Sequence, residues 1–399
     1  MPNAESSPLW LPFTQMAGFD AARRRFVRGE GAYLIDARGM RVFDAVSSIW
    51  TTLHGHCRPE IVAAIAAQAG MLDHATLLGA TNPPAEALAA QLTRLSGTDR
   101  AFFSGDGASA IEAALKMSLQ YWRACGKAER TRFVRLGGSY HGDTAAAMSV
   151  SDISVFKENF GAVTFETLPY EAASQVLTSH DVAAVIVEPL VQAAAGMQII
   201  PVERYDAFRT MAPLLIVDEI ATGFGRTGTM FAFEQVGLSP DIVCVGKGLT
   251  GGTLALSATL VCERVFAAFL GQGNQFFHGH SFAGNPIACA AALASLDLFE
   301  SDGTLERIAS LGVAIAPRLA RLRAHERVRE VRAVGLMAGI ELVPDPRVPG
   351  GAGRTAADAL YDRGYFTRPI GDVLQLVPPY CSTAQELEGF FDAVEAVLA

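Results

Sequence analysis

Two apolar runs in this sequence each end in a residue that suits covalent catalysis. Leu214–Val217 is followed by Asp218, and Ile242–Val245 is followed by Lys247, which has a glycine on either side. A buried carboxylate can keep the nitrogen of a pyridinium cofactor protonated, and a desolvated lysine amine loses its proton readily and can form a Schiff base. Alone, Asp218 would equally suit a helix cap and Lys247 a surface turn. Two adjoining strands that end in this pair favour the chemical interpretation.

A glycine-rich segment could hold the phosphate of such a cofactor. Ser104–Ala110 follows an expected strand and opens an expected helix, so free backbone N–H groups would point at an anion. The segment alone is a weak indication, because similar loops bind nucleotides or simply turn the chain. Its glycine spacing matches neither the P-loop nor the dinucleotide-binding fingerprint, which argues against a nucleotide-dependent dehydrogenase.

The elements that must position these residues alternate between helix and strand from about residue 85. Ala183–Val187, Leu214–Val217 and Ile242–Val245 are short and without polar alternation, as in parallel strands covered by helices on both faces. Open α/β sheets place their ligands at the turns after such strands. The sequence therefore predicts an α/β fold with its chemistry at one edge of the sheet.

Further elements are expected along the rest of the chain. The expected helices are Pro59–Met71, Ala85–Leu95, Ala110–Ala124, Ile287–Phe299, Thr304–His325 and Gln385–Leu398, and the further strands are Ala32–Asp36, Ala101–Ser104, Arg132–Leu136, Leu256–Val261 and Met337–Leu342. Proline opens the first of these helices, where its missing N–H does no harm. Val343–Arg354 is expected to be an exposed loop.

Four motifs resemble those of class III aminotransferases, which are pyridoxal 5′-phosphate (PLP) enzymes of fold type I. In chain order they are GSYHGDT (Gly138–Thr144), VDEIATGFGRTG (Val217–Gly228), VGKGLTGG (Val245–Gly252) and HGHSFAGNP (His278–Pro286). The resemblance covers nearly the whole chain. It implies a large domain with a mostly parallel seven-stranded sheet flanked by helices, and a smaller α/β domain formed by the C-terminus and the N-terminal segment. The expected divisions are 1–50 for the N-terminal segment, 51–290 for the large PLP-binding domain and 291–399 for the small domain.

The same resemblance implies a role for each residue of the cofactor site. Lys247 is expected to hold PLP as a Schiff base and then to move a proton between the substrate carbon and the cofactor's C4′ atom. Asp218 is expected to pair with the ring nitrogen. The remaining expected contacts are Tyr140 and Ile220 on the two ring faces, Glu188 near the 3′-hydroxyl or a nearby cation, the backbone N–H groups of Gly107 and Ala108 on the phosphate, and Ser281 on the phosphate of the neighbouring subunit. The last contact implies an obligatory homodimer with shared active sites.

Six further segments are Leu9–Met16, Val46–His56, Ser139–Val150, Glu188–Met197, Leu249–Leu260 and Thr367–Gly371. They resemble most the subfamily that transfers an amino group to 8-amino-7-oxononanoate in biotin synthesis. Arg368 matches the arginine that receives the substrate carboxylate, a task that suits a planar guanidinium. Arg226 is expected near the substrate, with a structural salt bridge as the alternative. Phe13 stands where the subfamily has a tyrosine. Ile49 and Trp50 stand where it has paired tryptophans.

The resemblance implies a ping-pong aminotransferase that moves an amino group from a small-molecule amine donor to a keto or aldehyde acceptor. Loss of the hydroxyl at Phe13 and of the indole at Ile49 leaves a second possibility open, an ω-amine transaminase of another, secondary-metabolic pathway. Racemases and aminomutases share the motifs. A catalytically inactive PLP-fold binding protein is disfavoured, because such a protein would not need to keep Lys247, Asp218 and Tyr140 together.

The composition excludes several other classes. The 399 residues carry a formal net charge of −9, which disfavours nucleic acid and membrane surfaces as partners. Half the residues are hydrophobic and 18% are charged, which favours a dimer. The six cysteines are scattered without C-x-x-C pairs, and the histidines lack metal-site spacing, so reduced thiols and no metal site are expected. Neither a signal peptide nor a membrane-spanning stretch is expected, and the predicted location is the cytoplasm.

Overall fold

The computed structural model describes residues 8–17, 24–170, 179–209, 211–347 and 351–399. Its strands are β1 (Phe26–Glu30), β2 (Tyr33–Asp36), β3 (Arg41–Asp44), β4 (Arg100–Ser104), β5 (Arg132–Arg135), β6 (Leu168–Pro169), β7 (Val182–Val187), β8 (Val191–Gln192), β9 (Gln198–Ile199), β10 (Leu214–Asp218), β11 (Ile242–Val245), β12 (Ser257–Val261), β13 (Val328–Val334), β14 (Met337–Leu342), β15 (Tyr365–Phe366) and β16 (Val373–Leu376). Its helices are α1 (Pro59–Met71), α2 (Pro83–Ser96), α3 (Gly107–Ala124), α4 (Ala145–Ser149), α5 (Ser154–Lys157), α6 (Ala232–Gln235), α7 (Glu263–Ala267), α8 (Pro286–Ser301), α9 (Thr304–Arg323), α10 (Gly351–Tyr361) and α11 (Ala384–Leu398).

Seven of the described strands form one large sheet in the order β4-β12-β11-β10-β7-β5-β6. The pairs from β6 through β11 are parallel, and only β12 runs against its two neighbours. This confirms the expected α/β fold with a mostly parallel seven-stranded sheet.

The central strands are buried on both faces, as their unbroken apolar sequences predict. In β10, Leu214 and Ile216 face a core cluster shared with α3, whereas Leu215 and Val217 face the larger cluster on the other side. Every residue of β7, β10, β11 and β12 is buried. The strand ends are therefore fixed from both sides, which holds the turns that follow them.

Local sequence signals set the ends of several helices. Asn82 accepts a hydrogen bond from the N–H of Ala85 at the start of α2, and Gly97 ends that helix in the left-handed conformation (φ 70°). Thr383 and Glu386 form a reciprocal capping box at the start of α11.

The chain's two ends meet in smaller sheets. β13, β14 and β16 form an antiparallel sheet, and β1, β2, β3 and β15 form another. In the second sheet β15 pairs in parallel with β3, so strands from the first 50 residues join a strand near residue 365. The domain boundaries expected after residues 50 and 290 stay predictions.

The structure corrects one expectation about the C-terminal part. The expected exposed loop is wrong for its last residues, because α10 begins at Gly351 and both Gly351 and Gly353 are buried. A methyl group on Gly353 would lie 2.3 Å from the carbonyl oxygen of Gly371, so glycine allows a close approach here instead of marking a loop.

The strands that were not expected from the sequence are β1, β3, β6, β8, β9, β13, β15 and β16, and α3 begins three residues earlier than expected. Within the described residues, no helix combines the length and the apolar character that crossing a membrane requires.

Candidate active site

A cleft of about 430 Å³ lies at the carboxyl ends of the central strands. This volume is in the usual range for a small-molecule site. Its walls bring together most of the residues that the sequence singled out: Trp50, Gly107, Ala108, Tyr140, Glu188, Asp218, Ile220 and Lys247. Phe13, Ile49, Arg226, Ser281 and Arg368 do not line it.

Asp218 and Lys247 lie at the ends of the neighbouring parallel strands β10 and β11. Asp218 is in register with Cys244 of β11, and Lys247 comes just after that strand, with a positive φ of 41°. Burial lowers the pKa of the Lys247 amine below its ordinary value, although the charges of Asp218 and Glu188 oppose the shift. A lowered pKa favours the neutral amine, which is the nucleophilic and basic form.

Asp218 is held by a buried histidine that the sequence analysis left without a specific role. His141 Nδ1 lies 2.7 Å from Asp218 Oδ2, and Asp218 Oδ1 accepts a hydrogen bond from the N–H of Ile220 at 3.0 Å. An ionised carboxylate can only accept, so Nδ1 of His141 must carry the proton in this pair. Both acceptor oxygens are thus oriented, which fixes Asp218 at the cleft. Position 141 lies within the GSYHGDT motif, but its partner was not evident from that motif.

Tyr140 and Glu188 form a second linked pair. Glu188 Oε2 accepts the backbone N–H of Tyr140 at 3.0 Å, and the Tyr140 hydroxyl donates to Asp143 at 2.7 Å. Burial, together with the charge of Asp218, raises the pKa of Glu188 well above its ordinary value. Burial and Asp143 likewise raise the pKa of the Tyr140 phenol. Both shifts favour the protonated, neutral forms at the cleft.

The start of α3 supplies an anion site. Asp106 caps the helix by accepting the N–H of Ser109 at 2.9 Å, and the first N–H groups of a helix, those of Gly107 and Ala108, have no acceptor within it. A methyl group added to Gly107 would lie 2.9 Å from Cγ2 of Ile220. Only glycine therefore lets Ile220 pack this close to the helix start, beside the N–H groups that would bind a phosphate.

These groups fit PLP. The cleft offers an amine of lowered pKa for its aldehyde, an oriented carboxylate for its ring nitrogen, an aromatic and an aliphatic side chain for its ring, and a helix N-terminus for its phosphate. Every functional group of a phosphorylated pyridine aldehyde thus has a protein group of suitable chemistry in the cleft.

Trp50 closes the cleft next to Lys247. Its ring centroid lies 4.9 Å from the Lys247 Nζ atom, and its indole N–H donates to Gln375 at 2.8 Å. The left-handed turn that ends at Trp50 consists of residues 47–50, whose φ angles are 49°, 47°, 66° and 66°. This left-handed conformation costs about 1–2 kcal/mol per residue for L-amino acids. Asp44 accepts the N–H of Ser48 at 2.8 Å and helps to hold this left-handed turn. Strain of this kind is typical of functional sites.

Two other expected substrate residues lie in different surroundings. Phe13 is 59% exposed, and its ring lies 5.5 Å from that of Phe156, which lies 5.4 Å from that of Tyr140. Ile49 belongs to the left-handed turn and packs against the large core cluster. Phe13 is therefore linked to the cleft through Phe156, and its expected substrate contact stays a prediction.

Arg226 is among the largest fully buried side chains. It donates to the carbonyl oxygens of Pro378 at 2.8 Å and Thr52 at 3.2 Å, and its guanidinium lies 4.9 Å from the ring centroid of Tyr380. Its hydrogen-bond acceptors are backbone carbonyl groups, and no carboxylate of the described residues forms an ion pair with it. These contacts hold the turn after β10 to the segments around Thr52 and Pro378.

Arg368 and Ser281 have exposed side chains away from the cleft of their own chain. The backbone of Arg368 is nevertheless linked to it, because Gln375 donates to the Arg368 carbonyl oxygen and also binds Trp50. The expected roles of Arg368 and Ser281 stay predictions.

Glu219 was not assigned a role from the sequence, although it follows Asp218. It is fully buried and accepts the N–H of Phe233 at 2.7 Å and the hydroxyl of Thr222 at 2.6 Å. Burial raises the pKa of Glu219 to about 7. Its contacts shape the turn that leads away from Asp218.

The sequence profile of the family described as aminotransferase class-III matches residues 18–398. The chain belongs to the class III aminotransferases. Like other class III aminotransferases, it uses PLP and is an enzyme that transfers amino groups. This confirms the expected family, cofactor and reaction type.

Several relatives of this class III aminotransferase carry the same name. An adenosylmethionine-8-amino-7-oxononanoate aminotransferase from Synechococcus elongatus is 42% identical and covers 98% of each chain, and one from Geobacter sulfurreducens is 39% identical over 97% of this chain and 94% of that protein. The crystal structure of the Methanocaldococcus jannaschii protein of that name superposes with a TM-score of 0.91 at 38% identity, covering 98% of this chain and 97% of that one. An amine transaminase from an uncultivated Pseudomonas species, in its PLP-bound form, gives 0.93 at 33% identity over 98% of each chain.

Proposed function

We propose that this enzyme transfers an amino group from an amine donor to 8-amino-7-oxononanoate, in two half-reactions at one site. The observation that carries the proposal is the meeting of Lys247 and Asp218 at the ends of neighbouring strands in one cleft. The names of the relatives that are about 40% identical support the acceptor.

Bound PLP supplies the aldehyde that takes up the amino group and a ring that withdraws electrons from the substrate carbon. The protein's residues do the rest. Lys247, as a neutral amine, would take a proton from the substrate carbon onto its Nζ atom and deliver it to the cofactor's C4′ atom, and this Nζ atom lies 4.9 Å from the ring centroid of Trp50. Asp218, oriented by His141, holds the ring nitrogen in its protonated form.

We propose that Arg368 receives the acceptor's distal carboxylate and that the active enzyme is a homodimer with shared sites. Ser281 lies in an exposed segment between Phe277 and Phe282, whose side chains are 78% and 64% exposed. Large exposed aromatic side chains of this kind are typical of a surface that another chain covers. In such a dimer, Ser281 of one subunit would reach the phosphate site at the start of α3 in the other subunit.

We also propose a cytoplasmic location. All six cysteines are free thiols, which is the usual state in a reducing compartment.

The proposal is tested by spectroscopy of the purified holoenzyme. A donor panel of S-adenosylmethionine, lysine, alanine and simple diamines is expected to bleach the visible band of the bound cofactor, and 8-amino-7-oxononanoate is expected to restore it. Lys247→Ala should lower both rates by at least about 10²-fold, the low end for loss of a general base. The exposed Lys127→Ala serves as the control and should behave as the wild type. Full turnover by the Lys247 variant would refute the mechanism.

A second candidate is an amine transaminase that acts on another acceptor. It is favoured by Phe13, which stands where the biotin subfamily has a tyrosine. The Phe13 ring packs against that of Phe156. The same assay separates the two candidates: recovery of the band with simple keto acids or aldehydes, but not with 8-amino-7-oxononanoate, would favour the second.

A further inference from the structure

Gln375 lies behind the cleft wall and is bonded on both sides of its side chain. It belongs to β16 and is only 1% exposed. Its Oε1 atom accepts the indole N–H of Trp50 at 2.8 Å, and its Nε2 atom donates to the carbonyl oxygen of Arg368. Neither the sequence motifs nor the function proposed above assigns it a role.

The two partners fix the orientation of the Gln375 amide. An indole N–H can only donate, and a backbone carbonyl oxygen can only accept. A flipped amide would place two donors against each other on one side and two acceptors on the other. The side chain therefore has one satisfied orientation, and a buried amide in that position resists displacement.

Further bonds hold the segment that carries Arg368 to the same strand. The hydroxyl of Thr367 donates to the backbone carbonyl oxygen of Gln375 at 2.8 Å. Ile370 and Val373 exchange two backbone hydrogen bonds of 3.0 Å each. The backbone at Arg368 is thus set relative to β16, and the Gln375 side chain links it to Trp50 in the cleft wall.

The other partner, Trp50, lies next to the reacting amine. Its ring centroid is 4.9 Å from Lys247 Nζ. Trp50 ends the left-handed turn, whose own conformation is unfavourable without outside contacts. The bond to Gln375 is one such contact, since it anchors the indole from the side away from the cleft.

We propose that Gln375 is a positioning residue that sets the separation between Lys247 and Arg368 and so selects substrates by the distance from their reacting carbon to their carboxylate. The inference rests on the proposed function, in which Arg368 receives that carboxylate. Gln375 does not line the cleft and acts through its two partners.

The test compares two acceptors that differ only at the carboxylate, 8-amino-7-oxononanoate and its methyl ester. Gln375→Met keeps the approximate volume and removes both bonds. It should raise the KM for the acid by about tenfold, the upper end for one neutral hydrogen bond, and change the KM for the ester by less than about threefold. Gln68→Met is the matched control, because it also removes an amide-to-carbonyl bond (2.9 Å, to Leu72), but one that involves neither Trp50 nor Arg368.

A second variant separates the two bonds. Gln375→Glu keeps an acceptor for Trp50, and in its ionised form it lacks the donor to the Arg368 carbonyl oxygen, so this variant is assayed at high pH. It should leave kcat with the ester at the wild-type value while the KM for the acid rises. This split also covers the case in which Gln375→Met fails to fold, which thermal melting would reveal.

Arg368→Leu distinguishes failure of this inference from failure of the proposed function. If it raises the KM for the acid selectively while both Gln375 variants affect acid and ester equally or not at all, the role of Gln375 is refuted and that of Arg368 stands. If Arg368→Leu shows no preference between acid and ester, the proposed carboxylate contact is refuted, and the selection attributed to Gln375 is refuted with it.

Discussion

The hydrogen bond between His141 and Asp218 leads to a quantitative prediction about the ring-nitrogen contact. His141→Ala removes a buried donor 2.7 Å from the carboxylate, whereas Asn at this position can place its amide N–H where Nδ1 lies. A hydrogen bond to a charged group contributes about 1.5–3 kcal/mol. Since about 1.4 kcal/mol corresponds to a factor of ten, we expect His141→Ala to lower kcat/KM by roughly ten- to a hundredfold and His141→Asn to recover most of that loss.

The assay combines steady-state kinetics with titration of the apoenzyme by PLP. His141→Ala should weaken PLP binding as well as turnover, because Asp218 then lacks one of its two oriented bonds. Thermal melting of all three proteins separates these effects from a general loss of stability caused by the cavity. Wild-type kinetics and PLP affinity in a folded His141→Ala protein would show that Asp218 needs no support from this side.

Three other changes have defined outcomes. Gly107→Ala would place a methyl group 2.9 Å from Ile220, so titration of the apoenzyme should show PLP affinity lowered by about tenfold, with partial recovery in Gly107→Ala/Ile220→Val; unchanged affinity would contradict the packing. The folded pKa of Glu219, about 7, lies above its unfolded value, so its contribution to stability is greatest at low pH and is lost as the pH rises through about 7. Glu219→Gln should therefore gain about 1 kcal/mol of unfolding free energy relative to the wild type between about pH 6 and pH 8 in denaturant titrations, and an opposite slope would contradict the sign of the shift. Arg226→Met leaves two buried carbonyl groups without their donor and should lower the unfolding free energy by about 2–4 kcal/mol, with equal KM changes for the acid and its ester; a selective rise for the acid would favour a substrate contact instead.

The parts of the site that the sequence predicted are those fixed by one strand and the turn after it. Asp218 and Lys247 are tied to runs buried on both faces, and parallel neighbours must end at the same edge of a sheet. The role of Gly107 and Ala108 could be predicted equally well, because a strand followed by a glycine-rich turn and a helix has one common geometry.

The parts that escaped prediction depend on contacts between distant segments. Gln375 is one polar residue in a four-residue strand, and its partner Trp50 lies 325 positions away in the chain. His141 stands in a recognisable motif, but its bond to Asp218 depends on how the loop after β5 lies against β10. Neither contact leaves a periodic signal in the sequence.

Helix α10 escaped prediction for a different reason. Gly351 and Gly353 lower the intrinsic preference for helix, so composition favours a loop. Both glycines are buried, and the close approach of Gly353 to Gly371 shows that packing decides the conformation here.

The pairing of β3 with β15 has a consequence for how the protein is made. The first strands leave the ribosome long before Tyr365 and Phe366 exist to pair with them, and the strained turn at Trp50 gains its partner Gln375 only after a further 325 positions have been made. Tyr380 then closes the same region by donating its backbone N–H to the carbonyl oxygen of Leu53. Contacts of such long range form late, since their loop-closure entropy must be overcome first. Nascent chains should therefore remain unable to bind the cofactor stably until Gln375 and Tyr380 have been made, and a premature stop before Tyr380 would leave an incomplete polypeptide exposed to proteases and chaperones.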